Sequence, residues 1–230
     1  MTTPQLYRGT GPGPITPDGC AVDYYATLVP NGEPELIHAA VPEEASILEL
    51  GAGAGRITHS LVAFGHDVVA VDESPEMLAH IKSAETVCSS IQSLSLDRTF
   101  DVVVLMSFVI ETADDDLRRA FLETCRRHVA ADGCVILQRK PPEWYDTVQP
   151  FERHAADGRL LRMTEVSRPG PDLLLSTMEY TIGGRTWTHT FLSRRLDDAF
   201  LETALNGAGL TIAEFLDDDR EWVRAVPVRA

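Results

Sequence analysis

Short apolar runs alternate with amphipathic stretches between residues 45 and 138. The apolar runs are typical of strands buried on both faces, which read as continuous hydrophobic segments. They lie at 46–50, 66–71, 86–89, 100–106 and 134–138. The intervening stretches have helical periodicity, as at 56–64. Strand–helix repeats of this length predict a parallel sheet covered by helices on both faces.

Local signals mark where several of these elements begin and end. Ser74 is a favourable N-cap residue, and Pro75 follows it at the first helical position. The acidic run 114–116 suits the start of the next helix, because negative charge is favourable at the positive end of the helix dipole. Gly65 is expected to end a helix, and Gly133 to end the turn before the fifth strand.

The pattern changes after the fifth strand, where period-two alternation predicts antiparallel strands with one apolar face. These strands lie at 160–166, 173–182 and 185–192. The dipeptide 183–184 is Gly-Gly and predicts a two-residue hairpin turn. That turn places Tyr180 opposite Trp187, and Met178 opposite His189. A helix is expected next at 197–205, and strands at 210–215 and 222–228.

The start of the chain has a different character. Residues 1–18 are rich in Gly, Pro and Thr and are expected to be loose. A short helical segment carrying Tyr24 and Tyr25 follows. Neither a basic segment nor an apolar stretch of signal-peptide type is present at the start, and no apolar run reaches the ~20 residues that span a bilayer. We therefore expect no membrane association.

The net charge and the cysteine content limit the kinds of partner that the protein can have. The chain of 230 residues carries 35 acidic and 20 basic side chains, a net charge of −15. Such a surface repels phosphate backbones, so a nucleic-acid substrate is disfavoured and a small or cationic partner is favoured. The four cysteines are scattered without a CxxC pair, which indicates reduced thiols, a cytoplasmic location and no zinc site.

A glycine-rich turn indicates which kind of ligand the protein binds. Residues 47–56 read ILELGAGAGR, so a strand leads into glycines at 51, 53 and 55 and a helix follows at once. Glycine lets the backbone approach a ligand closely, and a nucleotide-like molecule is the natural occupant. The second strand ends in Asp72, which follows the first glycine at the spacing of an acid that binds ribose hydroxyls.

Two ligand classes compete for this turn. The dinucleotide pattern GxGxxG needs its third glycine at position 56, where the chain has Arg56. The observed GxGxG, with Glu49 two residues before Gly51, resembles motif I of the class I S-adenosylmethionine-dependent methyltransferases. The resemblance implies that Gly51, Ala52 and Gly53 wrap the amino-acid part of the cofactor. Glu49 can take its ammonium group and loop N–H groups its carboxylate.

The resemblance continues along residues 40–140. Residues 71–78 look like the family's second motif, which implies ribose contacts from Asp72 with Glu73 and Met77 beside it. Residues 99–106 look like the strand whose tip, here Met106, lies next to the methyl group. Residues 131–137 resemble the family's fifth strand and the turn before it.

One part of the pattern departs from the family. The family has an Asp before the residue that contacts adenine, whereas this chain has Ser90 followed by Ile91. A serine hydroxyl accepts a hydrogen bond from the adenine amino group more weakly than a carboxylate does. Adenine contacts are still expected at Ser90 and Ile91.

The whole chain is similar to methyltransferases that act on amino sugars and other bacterial natural products. The resemblance implies a Rossmann-like α/β sheet of seven strands, the last antiparallel, with an antiparallel insertion after strand five. Residues 1–40 would form a lid in which Tyr24 covers the cofactor. Residues 41–140 and 195–230 would form the core, and 141–194 would cover the acceptor.

The reaction implied is transfer of the sulfonium methyl group to N or O of a small molecule. The protein's main contribution to the rate is the alignment of donor and acceptor, and a hydroxyl acceptor also needs a base. His189, His154 and Glu111 are the candidate catalytic residues, and no pattern indicates a metal. A nucleotide-dependent oxidoreductase and a non-catalytic cofactor-binding partner remain as alternatives, and a homodimer remains open.

Overall fold

The computed structural model describes residues 7–229. The strands are β1 (Arg8–Thr10), β2 (Ser46–Leu50), β3 (Asp67–Asp72), β4 (Glu85–Cys88), β5 (Phe100–Leu105), β6 (Val129–Gln138), β7 (Phe151–His154), β8 (Leu160–Gly170), β9 (Leu173–Ile182), β10 (Arg185–Arg194), β11 (Leu210–Phe215) and β12 (Trp222–Pro227). The helices are α1 (Val22–Tyr25), α2 (Glu33–Ala40), α3 (Thr58–Ala63), α4 (Pro75–Leu78), α5 (Asp115–His128), α6 (Pro142–Thr147) and α7 (Asp198–Gly207). Short 3-10 helices lie at Ile91–Ser93 and Val109–Glu111. None of the helices within 7–229 is long and apolar enough to cross a membrane.

The chain forms two compact units. One unit contains Val29–Pro141 and the segment from Leu196 onward, and it holds a seven-stranded sheet. The strand order is β11-β12-β6-β5-β2-β3-β4. β12 runs antiparallel to β6 and β11, whereas the pairs among β2 to β6 are all parallel. The predicted α/β sheet of seven strands with an antiparallel last strand is confirmed.

The sheet topology locates the place where a ligand binds. Chain order reverses between β2 and β5, because β3 and β4 follow on one side and β6 on the other. Open α/β sheets bind ligands in the crevice outside the carboxyl ends of the strands at such a switch point. The loops after β2, β3, β5 and β6 all lie at this edge, which we call the carboxyl edge.

Apolar side chains on both faces bury the sheet. Leu48 and Val103 belong to the core cluster on the α5 side, and Ile47 and Val102 belong to the cluster on the other side. All four side chains are fully buried. This explains why the parallel strands read as unbroken apolar runs in the sequence.

Capping residues act as the sequence predicts. Ser74 Oγ accepts the Met77 N–H at 3.2 Å, and Asp114 accepts the N–H groups of Asp116 and Leu117 at the start of α5. The helix predicted from residue 56 begins at Thr58 instead, because the glycine turn extends through Gly55.

The predicted turn at Gly133 is wrong. Gly133 lies inside β6, which begins at Val129 and is longer than the predicted strand. A Cβ atom at Gly133 would come within 2.6 Å of the Asp101 carbonyl oxygen on β5. The glycine is therefore required for close approach of two strands, and not for a change of chain direction.

Two buried arginines brace the loops of the carboxyl edge. Arg118 Nε donates to the Ile110 carbonyl at 3.0 Å, just after β5. Arg139, directly after β6, donates to the Leu196 carbonyl at 2.6 Å and to the Asp198 carboxylate. Both side chains are at most 2% exposed, so their charges are stabilised by these partners.

The other unit contains Pro142–Arg195 and the described residues up to Leu28. It holds a five-stranded antiparallel sheet in the order β1-β10-β9-β8-β7. The hairpin turns at Gly183 and Gly184, and its register pairs Tyr180 with Trp187 as predicted. The predicted antiparallel insertion after strand five is confirmed.

Part of the segment predicted to be loose is ordered into this sheet. β1 pairs with β10, with Gly9 opposite His189. A Cβ atom at Gly9 would lie 2.0 Å from the Gly19 carbonyl oxygen, so glycine content here permits close packing of the chain. Residues 1–6 lie outside the described residues. His154, a candidate catalytic residue, is the last residue of β7.

Candidate functional site

The glycine turn after β2 is built by left-handed backbone at alternate positions. Gly51, Gly53 and Gly55 have φ angles of 74°, 56° and 85°, which side chains other than glycine rarely adopt. A Cβ atom at Gly55 would meet Ile81 Cγ1 at 2.7 Å, whereas one at Gly53 would meet no atom within 4 Å. The turn is therefore packed against the protein at Gly55 and open at Gly53, where a ligand can approach.

Most of the turn's N–H groups already have partners within the protein. The N–H groups of Gly51 and Ala52 both donate to the Val71 carbonyl at 2.9 Å, and that of Gly55 donates to the Ala52 carbonyl. The Gly53 N–H donates to Asp72 Oδ2 at 2.8 Å. These four amides are thus paired within the protein, and the predicted binding of a ligand carboxylate by loop N–H groups stays a prediction.

Asp72 at the end of β3 joins the turn to the next helix. Its Oδ2 accepts the Gly53 N–H, and its Oδ1 accepts the Ser74 N–H at 2.9 Å. A carboxylate has about four acceptor positions and can accept hydrogen bonds from hydroxyl groups as well as from amides. Because both bonds come from backbone groups, the carboxylate is held in one orientation at the carboxyl edge.

Glu49 is a buried acid beneath the glycine turn. Its side chain is 2% exposed, and Thr58 Oγ donates to its Oε2 at 2.6 Å. Burial raises the pKa of Glu49 to about 7, and the Thr58 hydroxyl and the nearby Arg56 charge only partly oppose this. A cationic ligand group beside Glu49 would stabilise its ionised form.

Arg56 provides the positive charge at this site. Its guanidinium pairs with Glu33 at the start of α2. Burial favours the neutral acid at Glu33, but the Asn31 N–H and Arg56 outweigh it and lower the pKa of Glu33. A ligand carboxylate near the turn would find in Arg56 a donor that the paired loop amides do not offer.

The predicted adenine residues lie close to the turn. A Cβ atom at Gly51 would sit 3.8 Å from both Ile91 Cδ1 and Val109 Cγ2. Ser90 precedes the 3-10 helix that contains Ile91, and the preceding Ser89 N–H donates to the Asp72 carbonyl at 3.0 Å. The segment after β4 is thereby fixed beside β3.

Three further predicted residues differ in exposure. Glu73 is exposed beside Asp72, and Met77 is buried in α4. Met106 follows β5, but its side chain belongs to the core cluster that contains Ile47. The structure thus joins Asp72 to the glycine turn, bonds Glu49 to Thr58 at the start of α3, and places Met106 in the core.

Glu111 has a partner in the protein. It is 4% exposed, and its Oε1 accepts the Lys140 N–H after β6. The Lys140 ammonium lies 3.1 Å from the centroid of the Phe108 ring. These contacts connect the loops after β5 and β6. The predicted role of Glu111 toward an acceptor stays a prediction.

A cavity with an acidic lining lies at the carboxyl edge over β6 and β12. Its volume is about 260 Å³. Three of its lining residues are acids, namely Glu33, Asp217 and Glu221. The remaining lining residues are Asn31, Gly32, Leu36, Gln138 and Trp222. Glu33 is paired with Arg56, so Asp217 and Glu221 are the carboxylates of this lining that favour an occupant with positive charge.

The other candidate residues lie in the unit with the five-stranded sheet. Tyr24 stacks on Tyr180 with 4.3 Å between ring centroids and is 3% exposed. His189 Nε2 donates to the Asp18 carbonyl at 3.1 Å, which leaves Nδ1 as its acceptor atom. His154 is exposed, 3.9 Å from Glu152. The roles of these residues, and of 141–194 as a cover, stay predictions.

Thr58 and Gln138 are site residues that the sequence analysis missed. Thr58 can donate a hydrogen bond to Glu49 only because the turn folds α3 back over the end of β2. Gln138 Oε1 accepts the Ser107 N–H at 3.0 Å across two neighbouring strands. No periodicity or motif pairs positions so far apart, so only their place at strand and helix ends could have indicated them.

Comparison with known proteins agrees with this geometry. Residues 47–133 match the family model described as a methyltransferase domain. An uncharacterized methyltransferase of Mycobacterium tuberculosis, and its counterpart in Mycobacterium bovis, are 46% identical over 67 residues, or 29% of this chain. The match spans 28% of the length of these curated relatives.

Solved structures match over most of the chain. A sugar N-methyltransferase from Streptoalloteichus has a TM-score of 0.74 at 18% identity, covering 94% of this chain and 98% of its own. The CcbJ methyltransferase of Streptomyces caelestis has a TM-score of 0.74 at 19% identity, with 90% and 96% covered. An amino pentose methyltransferase from Micromonospora echinaspora, solved with bound S-adenosylmethionine, scores 0.66 at 18% identity, with 91% and 92% covered.

Residues 47–133 are therefore similar in sequence to a methyltransferase domain. The fold of the chain is that of the S-adenosylmethionine-dependent methyltransferases.

Proposed function

We propose that this protein transfers the methyl group of S-adenosylmethionine to the nitrogen of a small, amine-bearing molecule, with amino sugars as the leading class. The observation that carries the cofactor assignment is the contact between the GxGxG turn and Asp72, with the buried Glu49 beneath them. A dinucleotide-dependent oxidoreductase would need a glycine where Arg56 stands.

The residues present fit the cofactor chemically. Glu49 would take its ammonium group, Asp72 its ribose hydroxyls and Arg56 its carboxylate, because each pairing is between opposite charges or between a carboxylate and a hydroxyl. Ile91 offers an apolar surface for the adenine ring beside Gly51. The sulfonium of the bound cofactor supplies an already activated methyl group.

The acceptor class is inferred from the acidic cavity. Glu221 and Asp217 line it at the carboxyl edge, and the chain carries a net charge of −15. Carboxylates can draw in an ammonium ion, orient it and accept its proton when the amine becomes nucleophilic. Two of the similar structures are described as a sugar N-methyltransferase and an amino pentose methyltransferase, which supports the same class.

The first test combines binding and turnover. S-adenosylmethionine and its demethylated product should raise the melting temperature of the purified protein, whereas NAD should leave it unchanged. With isotopically labelled methyl donor, glucosamine should gain the label and glucose should not, because they differ at one amine. A rise with NAD alone would overturn the cofactor assignment, and label in hydroxyl compounds or nucleic acid alone would overturn the acceptor class.

A second test concerns a general base. Burial lowers the pKa of His189 and so favours the neutral imidazole, whose Nδ1 can accept a proton because Nε2 donates to the Asp18 carbonyl. If His189 removes a proton from the acceptor, His189→Ala should lower kcat by roughly 10²–10⁴-fold and leave the cofactor Kd unchanged. His154→Ala is the comparison. Full activity of the double variant would show that alignment alone drives the reaction.

A further inference from the structure

Two consecutive residues after β5 have strained backbone. Ser107 and Phe108 have φ angles of 56° and 64°. Only four residues within 7–229 other than glycine have a positive φ, and these two are adjacent. Such conformations persist only where the surroundings hold them in place, and they cluster at functional sites.

The residue that holds this turn is Gln138 at the end of β6. Gln138 is 6% exposed. Its Oε1 accepts the Ser107 N–H at 3.0 Å, and its Nε2 donates to Glu221 Oε1 at 2.7 Å. The amide is therefore oriented at both ends, because its acceptor atom faces a donor and its donor atom faces a carboxylate.

The turn lies where the methyl acceptor has to be aligned. It leaves β5 at the switch point of the sheet, and Val109, directly after it, approaches the glycine turn at Gly51. Gln138 and Glu221 line the acidic cavity at the same edge. One side-chain amide thus connects the cavity proposed for the amine to the loop next to the cofactor turn.

We propose that Gln138 is a positioning residue for methyl transfer, acting through the left-handed turn at Ser107 and Phe108. The inference rests on the proposed function. When the Ser107 N–H loses its acceptor, the turn relaxes toward ordinary backbone conformations and the edge of the acceptor site moves with it. A displacement of about 1 Å at such a site costs up to about a hundredfold in rate.

The test is a double-variant cycle. Gln138→Met keeps the length of the side chain and removes both hydrogen bonds. We expect kcat for the amine acceptor from the glucosamine screen to fall ten- to a hundredfold, with the cofactor Kd within about threefold. In a Ser107→Gly background, where glycine adopts positive φ freely, the same replacement should cost less than about threefold. The exposed Gln149→Met is the matched control.

Rescue by glycine separates positioning from general stability. If Gln138→Met costs the same kcat in both backgrounds, or costs nothing in either, the inference is overturned. Hydrogen exchange at the Ser107 amide needs no acceptor and decides whether Gln138 holds the turn. Exchange should speed up at least tenfold in Gln138→Met and stay within threefold in Glu221→Gln, which keeps an acceptor for the Gln138 amide.

The exchange measurement also distinguishes two kinds of failure. If the wild-type protein methylates no amine, the proposed function fails and so does the catalytic part of this inference, whatever the exchange result. If amines are methylated but the Ser107 amide keeps its protection in Gln138→Met, only the role of Gln138 fails.

Discussion

Replacing Asp72 with alanine should weaken S-adenosylmethionine binding by roughly two orders of magnitude. Charge-assisted hydrogen bonds contribute about 1.5–3 kcal/mol each, and the ribose hydroxyls would lose this carboxylate. The Gly53 and Ser74 N–H groups also lose their acceptor. The free energy of unfolding should therefore fall by about 1–3 kcal/mol, while the fold remains.

Titration calorimetry well below the melting temperature measures the affinity, and thermal unfolding measures the stability loss. Asp67→Ala is the matched control, because Asp67 is an exposed acid at the opposite end of the same strand. Asp72→Asn keeps one carbonyl acceptor, so its affinity for the cofactor should lie between those of Asp72→Ala and Asp67→Ala. Unchanged affinity in Asp72→Ala would place the ribose elsewhere.

Glu49→Gln should stabilise the free protein at pH 8 while weakening cofactor binding. The pKa of Glu49 is about 7 in the fold against an ordinary 4.5, so the folded state holds an extra proton between these values. Stability from this group is present below about pH 4.5 and is lost as pH rises to 7. Glutamine removes the buried charge and keeps an acceptor for Thr58. The free energy of unfolding at pH 8 should therefore be up to roughly 3 kcal/mol higher in the variant than in the wild-type protein.

The same variant should bind S-adenosylmethionine ten- to a hundredfold more weakly, because the ligand ammonium loses its charged partner. Melting curves at pH 5 and pH 8 measure the gain in stability, which should be smaller at pH 5. Titration calorimetry measures the loss of cofactor affinity. The exposed Glu202→Gln is the control. A variant that is destabilised at pH 8, or that binds the cofactor normally, would contradict the assignment of Glu49.

Elements that depend on near neighbours in the chain were predictable. The hairpin register follows from the dipeptide Gly183-Gly184, and the α4 start follows from Ser74 and Pro75. The strand β2 has the predicted bounds, Ser46–Leu50. In each case, turn geometry, capping or the apolar run is settled by residues adjacent in sequence.

The position of the glycine turn was predictable for the same reason, but its hydrogen bonding was not. The spacing of Gly51, Gly53 and Asp72 indicates a strand–turn–helix site that binds a nucleotide-like ligand. Whether the turn's N–H groups remain available depends on the Val71 carbonyl and the Asp72 carboxylate of the neighbouring strand. For this reason we propose Arg56, and not the loop amides, as the partner of the ligand carboxylate.

The sequence by itself determined the chain order of the seven strands in the larger sheet, the glycine turn and the class of ligand, because these depend on periodicity and spacing within short segments. Tertiary structure alone decided the burial of Arg118, the Thr58 partner of Glu49 and the strained turn that Gln138 holds. It also decided that Gly133 allows close approach of β6 and β5, and that β1 pairs with β10. Each of these depends on groups brought together by strand pairing or by a folded-back helix, and no local pattern encodes a contact between such distant positions.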